Sequence, residues 1–339
     1  MGRLSDKFNR KKVWLLEIPL FFTGMIFLFF AENLIFLVPG IILFYLTEVV
    51  GEISFNMYIS ASSNKIKKGI LFGLMFFSIF IGNIGGEFFV LLNIVRDIRV
   101  YFLIYMIFSV GSYLIIIFVI SDPISKQLKN SAINSEISNK KQNMWIDIFK
   151  TPKKRAIIIF FTLDIFIYNI SLSIYGAGLR AQYGLTYEQM AFIAIWLSIT
   201  LMISQILGGH LTDKIGKKRT LIMSELFGLG EFSIFILAFV LWTLGFHIFL
   251  IPLLSIGNIL MGLNGATFIP SAQIILTDLD ETRKAESYGI IGFLRGIGLI
   301  PTGIIGGFLT ENVSYVVPFI LSFIGVLFLI WFLYKYFQE

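Results

Sequence analysis

Ten long apolar runs follow one another along the chain, roughly at 13–31, 33–61, 69–92, 100–121, 156–179, 189–208, 219–242, 246–276, 287–309 and 314–334. A helix of about 20 such residues crosses a bilayer hydrocarbon core of ~30 Å. Hydrophobic residues make up 57% of the 339 and charged residues only 14%, where a soluble domain carries about 25% charge. The runs are continuous rather than alternating, so the spans are helices and not barrel strands. The expected fold class is an all-α polytopic membrane protein, multi-pass in the cell membrane, with the lipid bilayer as its main partner.

The basic residues give the orientation. With residues 1–12 placed in the cytoplasm and the sides alternated, 23 of the 27 Lys and Arg fall on the inner side. Arg96, Arg99 and Arg180 fall outside and Arg295 lies within a span. That asymmetry predicts that both termini are cytoplasmic. The net charge of +6 therefore sits in loops beside spans and does not indicate nucleic acid. There is no cysteine, which excludes disulfides and thiolate metal sites. The two histidines, His210 and His247, belong to no metal-ligand or nucleophile constellation, so neither a cofactor nor an enzymatic activity is expected. The basic N-terminus lacks the short apolar core and small-residue cleavage site of a removable signal peptide.

One polar stretch, 122–155, is rich in Lys, Asn and Ser and reads as a cytoplasmic linker between a first half, 1–121, and a second, 156–339. Within it, residues 144–149 can lie as a short amphipathic piece on the membrane surface or simply tether. A charged turn, Gly208-Gly209-His210-Leu211-Thr212-Asp213-Lys214-Ile215-Gly216-Lys217-Lys218-Arg219, interrupts the second half. A weaker copy opens the chain with Gly2, Asp6, Lys7, Asn9 and Arg10, 207 positions earlier. Two spans beyond each copy lies another basic loop, at 64–69 and 280–285, and the next span carries Gly85-Gly86 or Gly306-Gly307. The first half therefore reads as the second without its first two helices.

Each residue of the turn has a physical use. Gly209 lets helices approach closely. Gly216 supplies a positive φ that turns the chain back to the membrane. Lys217, Lys218 and Arg219 hold the turn at an anionic surface, or serve only to fix topology. Asp213 can accept hydrogen bonds from free N–H groups at the start of a nearby helix.

The turn and its spacing resemble the major facilitator superfamily of secondary transporters, whose signature Gly-x-x-x-Asp-Arg/Lys-x-Gly-Arg/Lys-Arg/Lys is matched at Gly209, Asp213, Lys214, Gly216, Lys217 and Lys218. The resemblance covers the chain as family helices 3 to 12; Tyr183-Gly184-Leu185-Thr186 and 280–287 agree with it. It implies a two-half bundle and a contact from Asp213 to the opposite half that latches one state. It also implies two further helices before Gly2, so the N-terminus is expected to be incomplete. The drug-antiporter motif Gly-Pro-x-x-Gly-Gly is not met by Gly82-Asn83-Ile84-Gly85-Gly86, which gives antiport little support.

Ionisable side chains within a membrane span mark functional sites by default. Tyr45, Glu48, Glu52 and Asn56 share one helical face in 33–61, and Asp164, Tyr168, Ser171 and Tyr175 share one in 156–179. Either these stripes line a water-filled path or they make buried structural hydrogen bonds. Asn258 and Asn264 add uncharged polar groups in 246–276. Glu48, Glu52 or Asp164 can carry a proton in such a site; alternatively one of them pairs with Arg295, which could also bind an anionic substrate group. Glu225 and Glu231 sit in a span that the resemblance places at the periphery, and Glu87 lies near the outer end of its own span. The expected function is secondary transport of a small-molecule substrate by alternating access, with H+ as coupling ion and Na+ as the alternative, in a monomeric protein. The competing expectation is a non-transporting sensor or scaffold, or a degenerate, truncated relative.

Overall fold

The computed structural model describes residues 10–62, 68–92, 98–118, 149, 151–280 and 284–337. Among the described residues ten helices are long and apolar enough to cross a membrane, and they fall on the ten apolar runs. In lipid no water completes the backbone hydrogen bonds, so each apolar run closes its own ladder as a helix. A short α1 (Arg10–Trp14) leads into α2 (Glu17–Phe29) as one span. Then follow α3 (Leu34–Ser62), α4 (Lys68–Leu91), α5 (Ile98–Phe118), α6 (Pro152–Ala181), α7 (Tyr187–Ile215), α8 (Lys217–Thr243), α9 (Leu250–Thr277), α10 (Lys284–Asn312) and α11 (Val317–Tyr336).

The helix ends carry local signals. Pro152 starts α6 after an extended Thr151. Thr186 and Gln189 form a reciprocal capping box at the start of α7. Gly184, Gly216 and Gly245 have φ of +67°, +93° and +89°, and each reverses the chain where a side chain would be strained. Gly216 does so between α7 and α8, as its position in the charged turn predicts.

Packing divides the helices into two units that cut across chain order. The first holds α1, α2, α3, α5 and the start of α10 to residue 290; the second holds α4, α6, α7, α8, α9 to residue 276, the rest of α10, and α11. In the first, Phe21, Met25 and Tyr113 form a core with Ile18, Phe22, Phe44 and Phe102 against it. Gly24 and Gly40 let α2 and α3 meet closely. In the second, Phe160, Phe161, Leu221, Phe232 and Leu254 are sealed inside. Large apolar side chains such as Ile35, Phe108 and Ile304 point outward in both units, as lipid-facing helices require.

Candidate functional site

The charged turn runs from the end of α7 through Gly216 into α8, and its α7 part is held between two neighbours. The Asp213 carboxylate accepts from the Gly69 and Ile70 N–H groups, at 3.2 Å each, one oxygen to each donor. These amides open α4 and are among the four that a helix start leaves without an intrahelical acceptor, where its dipole favours an anion. The approach requires glycine on both sides, because a Cβ on Gly69 would run into the Gly209 carbonyl and one on Gly209 into that of Gly69. Gly73, one turn further along α4, meets the Gln205 backbone in the same way. On its other side α7 meets α9: Gly208 lies against the Ala266 carbonyl, and the Thr212 hydroxyl pairs with that of Ser271 at 2.8 Å.

The remaining motif residues are at the surface or undescribed. Lys214 is exposed, and Lys217 follows Gly216 as the first residue of α8. Lys218 donates to the Tyr334 carbonyl at 3.3 Å and lies 5.9 Å from that ring's centre. Gly2, Asp6 and Lys7 lie outside the described residues, as does the side chain of Arg10 and nearly all of 122–155.

In the first unit the stripe on α3 changes character along its length. Tyr45 is 65% exposed and Glu48 and Glu52 are open, whereas Asn56 is buried. Tyr288, from the start of α10, donates to Glu52 at 2.6 Å and accepts from the Asn56 amide at 2.9 Å. A carboxylate that the sequence reading passed over joins them. Glu17 accepts from Trp14 Nε1 at 2.9 Å and from the Tyr113 hydroxyl at 3.1 Å, and Gly51 makes room for it. Glu48 lies within Coulombic reach of both Glu52 and Glu17, which puts three acids on one patch of this unit.

In the second unit the polar stripe is buried at Asp164, Tyr168 and Ser171 and half-buried at Tyr175. Asp164 is 6% exposed and faces Arg295 across a Coulombic distance. The two do not close to a salt bridge among the described residues, and Arg295 Nε is buried without a hydrogen-bond partner. The Tyr168 hydroxyl donates to Glu225 at 3.1 Å and accepts from the Asn264 amide at 2.9 Å; Asn264 also donates to the Ser224 carbonyl. Gly228 is what admits that hydroxyl, since a Cβ there would occupy its place. Ser171 pairs with Ser322 of α11 at 2.9 Å, and Tyr175 accepts from Asn258 of α9 at 2.6 Å. Asp164, Tyr168, Ser171, Tyr175, Asn258 and Asn264 thus form interhelical contacts around one buried acid cluster, rather than an open wall.

Two expectations about peripheral acids change. Glu225 and Glu231 are fully buried: Glu225 keeps one oxygen unpartnered and Glu231 both. Asp164 and Glu231 also act on Glu225 through space. Glu87, which the sequence places towards water, instead accepts from Ser198 of α7 at 2.6 Å, with its second oxygen buried and unpartnered. An ionised carboxylate sealed from water without a partner costs several kcal/mol, and of these three acids Glu231 is the one buried with neither oxygen partnered. No group of residues suited to hold a metal ion occurs among the described residues.

The sequence model of the Major Facilitator Superfamily matches residues 1–230. Quinolone resistance protein NorA of Staphylococcus aureus is 28% identical over 162 residues, a stretch that spans 45% of this chain and 39% of that protein. Tetracycline resistance protein, class D, of Salmonella ordonez is 27% identical over 114 residues, 34% of this chain and 26% of its own. The chain thus matches well under half the length of these relatives. A bacterial homologue of the iron transporter ferroportin, in an outward-facing state, superposes with a TM-score of 0.68 at 14% identity, covering 99% of this chain and 85% of that one. The proton:xylose symporter XylE bound to 6-bromo-6-deoxy-D-glucose gives 0.67 at 16%, covering 100% and 82%. At such identities the likeness to the solved structures is one of fold.

Proposed function

The chain belongs to the major facilitator superfamily of membrane transporters, and from that premise we propose that it moves a small solute by proton-coupled alternating access. The halves 1–121 and 156–339 rock about a midplane site, with both termini in the cytoplasm of a monomer. Asp164 carries the coupling proton, with Tyr168 and Glu225 as its extension into α8, and Glu48 and Glu52 offer a second carboxylate pair on α3. The observation that carries this reading is Asp164 itself: a buried acid that faces Arg295 and stops short of an ion pair, so a proton can come and go without first breaking a strong contact. The contact of Asp213 with the start of α4 joins an element of the first half to one of the second and latches one state of the cycle.

The two resistance proteins among its relatives make amphipathic drug-like compounds the first substrate class to test. In proteoliposomes enclosing a pH-sensitive dye, a transported quinolone, tetracycline or sugar should move protons with it. Asp164→Asn should cut gradient-driven flux by at least about tenfold, while leaving exchange between equal pools. Flux that ignores an imposed pH gradient, or that Asp164→Asn leaves intact, removes the proton assignment.

A further inference from the structure

A cleft of about 610 Å³ opens between the start of α6 and the end of α11, at matching ends of two spans. Its walls change with depth. Lys153 and Arg155 stand at the mouth on α6, and Lys335 stands there on α11. Ile159 lies six residues further along α6 and Phe328 seven residues back along α11, each about 10 Å deeper at the rise of a helix. Trp331 sits between the two levels, half exposed, and Lys335 rests 5.0 Å from its ring centre. Among the described residues no carboxylate lines the cleft, and neither Lys153 nor Arg155 closes an ion pair.

A second feature adds to the positive mouth. The 30-residue α6 starts at this end, so the positive end of its dipole adds to the cations there. Three cations and a helix start over an aromatic and aliphatic floor reproduce the profile of one phospholipid: anionic phosphate at the mouth, glycerol at the indole, acyl chain along Phe328 and Ile159. We infer that this cleft is a selective site for an anionic phospholipid, distinct from the transport pathway. A zwitterionic headgroup would bring its own cation against the three already there, and free phosphate would leave the apolar floor bare.

Native mass spectrometry of the purified full chain, titrated with phosphatidylglycerol or with phosphatidylcholine, tests this. The wild type should retain one phosphatidylglycerol with about tenfold or greater preference over phosphatidylcholine. The variant Lys153→Ala/Arg155→Ala/Lys335→Ala should lose that molecule, and Lys153→Arg/Lys335→Arg should keep it. Arg180→Ala, at the opposite end of α6, should retain it too and serves as the control for charge alone. Equal retention by the triple-alanine variant, equal retention of the two lipids, or displacement by inorganic phosphate would each overturn the proposal. Should the triple variant unfold, Arg155→Gln alone takes its place, with a partial loss of phosphatidylglycerol expected and no loss counting against the site. The readout does not involve transport, so it stands or falls separately from the proposed function.

Discussion

Gly208 and Thr212 turn towards α9, while Gly209 and Asp213, one position on in each case, turn towards α4. Two adjacent columns of one helix therefore serve two different neighbours, and both need a small residue and then a polar one. Asp213→Asn removes the charge and one of the two acceptor oxygens, at a cost of about 2 kcal/mol. Amide hydrogen exchange at Gly69 and Ile70 should speed up accordingly, by roughly thirtyfold if exchange follows opening of this contact. Unchanged exchange would mean that the turn only anchors topology. At the acid cluster, Glu225→Gln keeps the shape and places an uncharged group where the geometry suits a neutral acid. Thermal unfolding of that variant should stay within about 1 kcal/mol of wild type, whereas Tyr168→Phe, which strands Glu225 and Asn264, should cost about 1–3 kcal/mol.

Helices in lipid gain little from burying apolar surface against one another, so close packing and small residues decide which pairs form. The crossing of α4 and α7 rests on Gly69, Gly73 and Gly209 set against backbone, which cannot swing aside as a side chain can. Gly209→Ala should therefore destabilise by about 1–3 kcal/mol or more. Gly85→Ala, where nothing lies within 4 Å, should be neutral or stabilising by up to about 1 kcal/mol through helix propensity. The two midpoints, measured side by side in one detergent, check this. The paired glycines that look equivalent along the chain differ in the fold: Gly306 packs on the Ile170 carbonyl of α6, while Gly85, Gly86 and Gly307 meet nothing. Sequence spacing exposed the pairs but could not say which members touch a neighbour.

At the scale of the whole molecule, the distribution of Lys and Arg predicts that reporter domains fused to either terminus will be active only on the cytoplasmic side; activity outside would reverse the orientation and with it the assignment of the basic loops. The number and position of the spans, the fold class and the reversal at Gly216 were legible without coordinates. Lipid leaves an apolar run no structure but a helix, and a positive φ beside a basic cluster has few occupants other than glycine. What only the tertiary structure decided is which polar group meets which: Tyr168 on Glu225, Ser198 on Glu87, Tyr288 between Glu52 and Asn56, and Lys335 across from Lys153. Helical periodicity assigns a side chain to a face of its own helix. The partner depends on how each helix is rotated and shifted against the next, and close contacts such as those at Gly69, Gly208 and Gly228 set that between residues far apart in the chain.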